Sequence, residues 1–185
     1  HVEHLLRSGV HVILILNSDL DADRIKIQPD LAHRLSGLLV RENVGFDFAA
    51  WAHAYALCTA AKHWSRLILV NDSIVGPLNA ADFDRLMKRL RQSNADVVGL
   101  TENRSPPRHL QSFFLALNAS ALHNEVVPQV FERILNLPNK GQVIEVYEAR
   151  LTGVLSRQGL RCEALFAPLT EDLHTANDTA FRWAQ

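Results

Sequence analysis

The chain has little cysteine, no long apolar run and no excess charge of either sign. Its 185 residues include two cysteines, and its formal net charge is -1. A nearly neutral chain lacks the basic excess typical of nucleic-acid binding, so we expect no nucleic-acid partner. Cys58 and Cys162 lie far apart and form no metal-ligand pair. They are therefore predicted to be buried free thiols, which fits a cytoplasmic protein.

The apolar runs are too short for a membrane span. The longest, Val12 to Leu16, falls far below the roughly 18 residues that a spanning helix needs. We therefore expect at most peripheral membrane contact. The length suits a single domain over residues 1–185, and the first residue, His1 rather than Met, indicates a fragment of a longer chain.

Several catalytic signatures are also missing. The sequence contains no GxSxG elbow, no HExxH, no P-loop and no GxGxxG, and its nine histidines have no metal-ligand spacing. Each of these motifs places a nucleophile, a metal or a phosphate in a defined turn or helix. Their absence weakens the case for hydrolases, zinc peptidases, P-loop enzymes and dinucleotide enzymes.

Short apolar runs alternate with helical patterns, which predicts an α/β fold with a largely parallel sheet. Strands are predicted at 10–16, 38–40, 66–70, 96–100, 110–117 and 161–166, and helices at 29–36, 48–62, 80–92, 119–136 and 143–158. Pro128 is expected to interrupt the fourth helix, and Gly159 to cap the fifth. No long helix precedes the strand at 110–117, so it is expected to run antiparallel in a mixed sheet.

A polar segment, Arg41-Glu42-Asn43-Val44-Gly45-Phe46-Asp47-Phe48, follows the second predicted strand. In open α/β sheets, ligand-binding groups gather at such strand ends. Arg41 can fork onto a phosphate or a carboxylate, while Asn43 and Gly45 permit a tight turn that approaches a ligand closely. Asp47 has two compatible roles, as the N-cap of the next helix and as a contact to ribose or base.

A second polar cluster, Asn71-Asp72-Ser73, follows the third predicted strand. Asp72 could hold Mg²⁺ or Mn²⁺ that bridges a diphosphate, although one carboxylate alone binds a cation weakly. The alternative is an Asx-turn that only redirects the chain. Together the two clusters favour one crevice for a phosphorylated, sugar-bearing ligand over two well-capped loops.

A third group of candidates lies further along the chain. His109 and Gln111 alternate with Leu110 and so share one face, where they could line an acceptor pocket or, for the histidine, serve structure alone. Glu148 is interpreted either as compensation of a helix dipole or as a general base. Glu102 competes for the role of base, and only geometry separates the two carboxylates.

These motifs resemble those of the rhamnan synthesis protein F family, glycosyltransferases of bacterial surface polysaccharides. Residues 41–51 are similar to the family's RENxGxDFxxW, 67–78 to its strand and NDSxxGP turn, 99–101 to GLT, 109–114 to HLQSFF, and 143–152 to VI..YE..L. Asn177, Thr179 and Trp183 fit a C-terminal NPTHxxW, with Asp178 and Ala180 as departures from it. The resemblance covers about residues 9 to 183.

The resemblance implies a GT-A-like three-layer sandwich with a mostly parallel, mixed sheet. It implies that a sugar is transferred with inversion to a glycan or lipid-linked acceptor. The sugar is expected to be rhamnose and the donor dTDP-rhamnose. The protein is expected in the cytoplasm, with at most peripheral contact at the inner membrane face. Asn71-Asp72-Ser73 takes the place of the DxD metal motif. Glu148, Leu151 and Gly159 reproduce the spacing around the general base, with Tyr147 replacing a preceding acid.

By the same resemblance each candidate receives a role. Glu148 is the expected base, Asp72 the metal ligand, and His109 and Gln111 the sugar or acceptor contacts. The donor-binding residues are expected to be Arg41, Asn43, Gly45, Asp47, Asn71, Asp72 and Ser73. Two rival functions remain. One is a non-catalytic nucleotide-sugar or glycan-binding module, which the reduced DxD favours, and the other is a nucleotidyltransferase, which the lack of a glycine-rich basic loop disfavours.

Overall fold

The computed structural model describes residues 2–58, 60–74, 76, 79–104 and 106–166. The α-helices are α1 Val2–Arg7, α2 Pro29–Arg34, α3 Phe46–Leu57, α4 Ala80–Gln92, α5 Ala119–Leu122, α6 Val126–Glu132, α7 Lys140–Val143 and α8 Ala149–Arg157. A π-helical turn, Ile144–Glu148, joins α7 to α8. The strands are β1 Ile13–Asn17, β2 Gly37–Arg41, β3 Arg66–Val70, β4 Val97–Gly99, β5 Glu102–Asn103, β6 His109–Leu110, β7 Phe114–Asn118 and β8 Cys162–Ala164.

The central sheet has four strands in the order β3-β7-β4-β8. Strand β7 is antiparallel to both of its neighbours, whereas β4 and β8 are parallel. Therefore β3, β4 and β8 share one direction and β7 runs against them, which confirms the mixed α/β sheet and its antiparallel strand. Strands β1 and β2 form a parallel pair, and β5 and β6 form a short antiparallel hairpin.

The two faces of the sheet bury different apolar clusters. Alternate residues point to opposite faces, so Val97 packs with α3, α6 and α8 while Val98 packs against α4. Both valines are fully buried. None of the helices in the described part of the chain is long and apolar enough to cross a membrane. Both cysteines are free, as predicted, but they are half-buried rather than buried.

Several predicted boundaries were wrong. The predicted strand at 110–117 divides into β6 and β7, because the backbone N–H of Leu110 donates to Thr152 Oγ1 at 2.9 Å and that of Gln111 to the carbonyl of Thr101 at 3.1 Å. Pro128 does not break its helix, because it occupies the first turn of α6, where its missing N–H has no intrahelical partner. The break falls before α6 instead.

The ends of two helices matter for the candidate site. Helix α3 begins at Phe46, two residues earlier than predicted. The last helix begins at Lys140 and passes through the π-helical turn before α8, and Gly159 with φ +80° closes it as expected. Helix α1 was not predicted. The C-terminal motif at 177–183 lies outside the described residues.

Candidate functional site

Three strands of the central sheet bring polar residues to one edge. Val70, the last residue of β3, pairs with Phe114, the first of β7, and Gly99 at the end of β4 pairs with Leu115. The carboxyl ends of β3 and β4 therefore meet the start of β7. The polar residues just beyond these ends are Asn71, Thr101 and Ser112.

Arg41 binds the loop that follows β2. Its Nη1 donates to Asn17 Oδ1 at 3.0 Å and to the carbonyl of Val44 at 2.9 Å, and its Nη2 lies 3.4 Å from Asn136 Oδ1. Nε is buried with no hydrogen-bond partner among the described residues. Burial lowers the pKa of Arg41, and the charge of Glu42 opposes that shift. The guanidinium thus joins three chain segments through neutral acceptors.

Gly45 makes the turn within this loop. It has φ +71°, and a Cβ at this position would lie 2.5 Å from the Cβ of Ala49 and 2.9 Å from the Cα of Asn136. No side chain fits there, so the predicted close approach at Gly45 is present, but it is to the protein's own chain. Phe46 follows with φ +56°, which is unusual for a residue other than glycine.

Asp47 links the first two polar clusters. It is not the N-cap of α3, because Gly45 occupies that position, but its Oδ1 does accept from the backbone N–H of Phe48 at 3.0 Å. Its Oδ2 accepts from Asn71 Nδ2 at 2.7 Å. Asn71 Oδ1 in turn accepts from the N–H of Ser73 at 3.0 Å, which is the Asx-turn offered as the alternative.

The remaining expected donor residues point in different directions. Asn43 is exposed, and its Nδ2 lies 3.4 Å from Asp19 Oδ2. Asp72 and Ser73 are exposed beyond the carboxyl end of β3.

We call Arg41, Asn43, Gly45, Asp47 and Asn71 the loop cluster. Most of its polar groups bond to one another or to nearby chain, whereas Asp72 presents its carboxylate to solvent.

Glu148, His109 and Ser112 form a second group, which we call the acid cluster. Glu148 Oε2 accepts from Ser112 Oγ and, at 3.4 Å, from the backbone N–H of Ser112. His109 Nε2 lies 3.7 Å from Glu148 Oε1, too far for a hydrogen bond but close enough for an ion pair. The side chain of Glu148 is 19% exposed, whereas that of His109 is 6% exposed.

The two members of this pair shift each other's pKa. The nearby carboxylate of Glu148 raises the pKa of His109, although burial opposes it. Burial alone would raise the pKa of Glu148, but the nearby His109 ring and the hydrogen bonds from Ser112 together lower it. Glu148 is therefore a carboxylate at neutral pH, which is the form a general base requires.

An aromatic contact places the two clusters side by side. The ring of Phe48, next to Asp47, stacks on the ring of Tyr147, next to Glu148, with 5.7 Å between centroids. The hydroxyl of Tyr147 accepts from the N–H of Leu135 at 2.8 Å. Tyr147, which stands where an acid was expected, thus joins the π-helical turn to the backbone at Leu135. Glu148 ends the π-helical turn, a feature often found at functional sites.

Two further candidates are bound elsewhere. Gln111 Oε1 accepts from Thr101 Oγ1 at 2.6 Å, so its amide oxygen is bound just beyond the end of β4. Glu102 is buried, and its carboxylate is paired with Arg108 at 2.6 Å and Arg104 at 3.1 Å. Because two guanidinium groups neutralise it, Glu102 is a poor general base. This geometry favours Glu148.

The donor set does not make a metal site by itself. Among the residues described, no group of three or more histidine, cysteine, aspartate or glutamate side chains converges. Asp72 therefore fits only the mode in which Mg²⁺ or Mn²⁺ takes one or two carboxylates and completes its shell with substrate phosphates and water.

Sequence reasoning missed three residues of the site. Asn17 ends β1, so it could have been found by the same rule as the other clusters, namely that ligand-binding groups gather at strand ends. Ser112 lies in a quoted motif but was given no role. Asn136 meets Arg41 across 95 positions of sequence, and no local pattern predicts that contact.

The fold and site define an α/β protein with polar groups and the carboxylate of Glu148 beside the strand ends of a mixed sheet. The chain belongs to the rhamnan synthesis protein F family, which matches residues 12–184. Membership ties the chain to polysaccharide synthesis and confirms the resemblance.

The chain is similar to curated proteins of two bacteria. The uncharacterized protein y4gN of Sinorhizobium fredii (strain NBRC 101917 / NGR234) is 29% identical over 173 residues, 90% of this chain and 44% of the relative. The virulence protein VirA of Vibrio anguillarum (strain ATCC 68554 / 775) is 25% identical over 166 residues, 87% of this chain and 51% of the relative. The chain thus spans about half the length of these relatives. No solved structure matches it.

Proposed function

We propose that this domain is a GT-A-like, inverting glycosyltransferase that moves a sugar from a nucleoside-diphosphate donor to a bacterial surface polysaccharide. The family supports a role in polysaccharide synthesis, and its link to rhamnan favours rhamnose, carried as dTDP-rhamnose. The observation that carries the proposal is Glu148, a partly exposed and ionised carboxylate beside the carboxyl ends of β3 and β4.

In the proposed reaction, Glu148 accepts the proton of an acceptor hydroxyl as that oxygen attacks the anomeric carbon of the donor sugar. The bond from the anomeric carbon to the diphosphate oxygen breaks, and the nucleoside diphosphate leaves with the electron pair. One displacement of this kind inverts the anomeric configuration. General-base catalysis contributes about 10²- to 10⁴-fold to such a step.

The donor is assigned to the loop cluster and the turn after β3. Asp72 and Ser73 are exposed there. The loop cluster, Arg41, Asn43, Gly45, Asp47 and Asn71, is proposed to hold the backbone against which the donor binds. A Mg²⁺ or Mn²⁺ ion on Asp72 would supply positive charge for the diphosphate. Gln111 is assigned to the sugar and acceptor side, and the buried His109 is assigned to the same side only through its contact with Glu148.

The acceptor is a growing glycan, free or lipid-linked, and the proposed location is the cytoplasm with at most peripheral contact at the inner membrane face. The family supports the glycan, and the two free thiols are consistent with a reducing compartment.

The test is the Glu148→Gln variant of the full native chain, assayed for transfer from dTDP-rhamnose and from uridine-diphosphate sugars. We expect kcat to fall about 100-fold or more, with donor affinity unchanged, because only the proton acceptor is lost. Glu145→Gln is the matched control, because Glu145 is an exposed glutamate in the same π-helical turn. Equal turnover by Glu148→Gln and the native chain would refute the proposed role.

A second candidate is a non-catalytic module that binds a nucleotide sugar or a glycan. The hydrogen bonds from Ser112, which lower the pKa of Glu148, favour this candidate, because they also weaken Glu148 as a base. Calorimetric titration with dTDP and with uridine diphosphate, each with and without Mn²⁺, separates the candidates when combined with the transfer assay. Binding without turnover by the full chain selects the module.

A further inference from the structure

The imidazole of His109 is held in one orientation. Its Nδ1 lies 2.6 Å from the carbonyl oxygen of Pro107, and a carbonyl can only accept, so Nδ1 carries a hydrogen. The other ring nitrogen, Nε2, is buried and has no hydrogen-bond partner within the described part of the chain. It faces Glu148 Oε1 at 3.7 Å. The backbone thus fixes the ring so that Nε2 points at the carboxylate.

A neutral ring would be poorly satisfied in this position. With Nδ1 protonated, a neutral imidazole presents the lone pair of Nε2 to a carboxylate, and a buried acceptor without a donor is unfavourable. A protonated ring presents an N–H and pairs with Glu148. The fixed orientation therefore makes the interaction between His109 and Glu148 favourable only when the ring donates.

Ser112 holds the other side of the same carboxylate. Its hydroxyl and its backbone N–H both donate to Oε2, so this oxygen is committed. Oε1 receives no hydrogen bond from any described residue and lies opposite His109. Of the two oxygens, Oε1 is the one left to accept a proton from a ligand hydroxyl.

We propose that His109 is a positioning residue, which directs Oε1 of Glu148 toward the acceptor hydroxyl while Ser112 fixes Oε2. The acceptor hydroxyl in this statement rests on the proposed function, but the hold on the carboxylate does not. Because the ring is enclosed, His109 acts through Glu148 and not by direct contact with the sugar.

Two substitutions of His109 separate this role from a purely structural one. An asparagine amide nitrogen reaches about as far as Nδ1 and keeps the bond to Pro107, whereas a glutamine amide reaches about as far as Nε2 and keeps a donor toward Glu148. Positioning predicts that His109→Gln retains more of the native kcat than His109→Asn, with KM for the donor unchanged. A structural role through Pro107 predicts the reverse order. His53→Gln, at an exposed site in α3, is the matched control.

The second readout needs no activity. In the full native chain carrying ¹³C-carboxyl glutamate, the titration midpoint of Glu148 should rise by about one pH unit in His109→Asn and by less in His109→Gln. Ser112→Ala should also raise it, which keeps the test usable if a histidine variant does not fold. An unchanged midpoint in every folded variant overturns the proposal. If the midpoints follow the expected order but neither the native chain nor any variant transfers a sugar, the positioning role is supported and the proposed function is refuted.

Discussion

The loop cluster and the acid cluster lie side by side, yet they use polar side chains in opposite ways. In the loop cluster most donors meet acceptors, as where Asn71 Nδ2 lies 2.7 Å from Asp47 Oδ2 and Arg41 Nη1 lies 3.0 Å from Asn17 Oδ1; of the cluster's buried side-chain donors, only Arg41 Nε finds no acceptor among the described residues. In the acid cluster Oε1 of Glu148 and Nε2 of His109 face each other at 3.7 Å without a hydrogen bond.

The difference indicates that the loop cluster is a structural frame, whereas the acid cluster contains a reactive group. A polar network whose members satisfy one another is rigid and has little capacity left for a ligand. A carboxylate with one uncommitted oxygen keeps the capacity to accept a proton. The segment richest in recognisable motif letters is therefore mainly the frame that holds α3 and the turn after β3, and the chemistry is assigned to its neighbour.

The largest effect on the free energy of unfolding is expected at Gly45, where the loop cluster has no room for a side chain. Gly45→Ala should destabilise the fold by about 3 kcal/mol, because it adds strain at positive φ and forces a Cβ against backbone that cannot move aside. Gly159→Ala is the control, since Gly159 has φ +80° but nothing lies within 4 Å of its added Cβ. Urea unfolding should show a loss of about 1 kcal/mol there. Equal losses in the two variants would contradict a close-packed loop.

The next effect tests the match between Asn71 and Asp47. Asn71→Asp, which puts an acid where the resemblance expects the first aspartate of a DxD motif, should destabilise the fold by about 2 kcal/mol at pH 7, because it sets two carboxylates against each other. The loss should shrink near pH 4, where the two carboxylates can share a proton.

The control for that substitution is Asn79→Asp. Asn79 Nδ2 lies 2.7 Å from Asp82 Oδ2, the same separation as in the pair of Asn71 and Asp47, but in an exposed setting at the N-cap of α4. Solvent screening and the aptitude of aspartate as an N-cap should make its effect much smaller in urea unfolding. A larger loss for Asn79→Asp would show that the pair in the loop cluster is not a structural link.

Parts of the fold with local signals were predictable from sequence. Helix α4 was predicted residue for residue, because one amphipathic pattern runs over Ala80–Gln92 and Ser93 ends it. Strand β3 was equally clear, as one apolar run. The division between β6 and β7 was not, because it depends on hydrogen bonds to Thr101 and Thr152, which no local pattern encodes.

The candidate site divides in the same way. Strand-end polarity was enough to select the segments that contain Arg41, Asp47 and Asn71. It did not reveal that their side chains bond mainly to one another, since the partners come from distant segments. Glu148 gained weight over Glu102 only through the resemblance and then through geometry, because the pairing of Glu102 with two arginines is invisible in spacing.

A smaller effect should appear in the acid cluster as pH changes. The raised pKa of His109 gives stability that is present below its ordinary value of 6.5 and lost as pH rises through the folded value. The lowered pKa of Glu148 gives stability that is present above its ordinary value of 4.5 and lost as pH falls through the folded value.

The native chain should therefore exceed His109→Gln in free energy of unfolding by about 1 kcal/mol between these two values, and by less on either side. Urea unfolding at a series of pH values measures the difference. A difference independent of pH would mean that the two groups are not coupled, and His53→Gln should show no such window.

The smallest effect on stability is expected at Asp72. A substitution there distinguishes most sharply between a residue that supports the fold and a residue that contacts the ligand. Because Asp72 is exposed, Asp72→Asn should leave the free energy of unfolding within experimental error. It should nevertheless weaken dTDP binding at least about tenfold in the presence of Mn²⁺, since a carboxylate that meets a hard cation and a diphosphate is lost. Asp84→Asn, on the exposed side of α4, is the matched control for charge. Calorimetric titration decides between them. Unchanged affinity in Asp72→Asn would place the donor away from the turn after β3, whereas loss in both variants would point to a general charge effect.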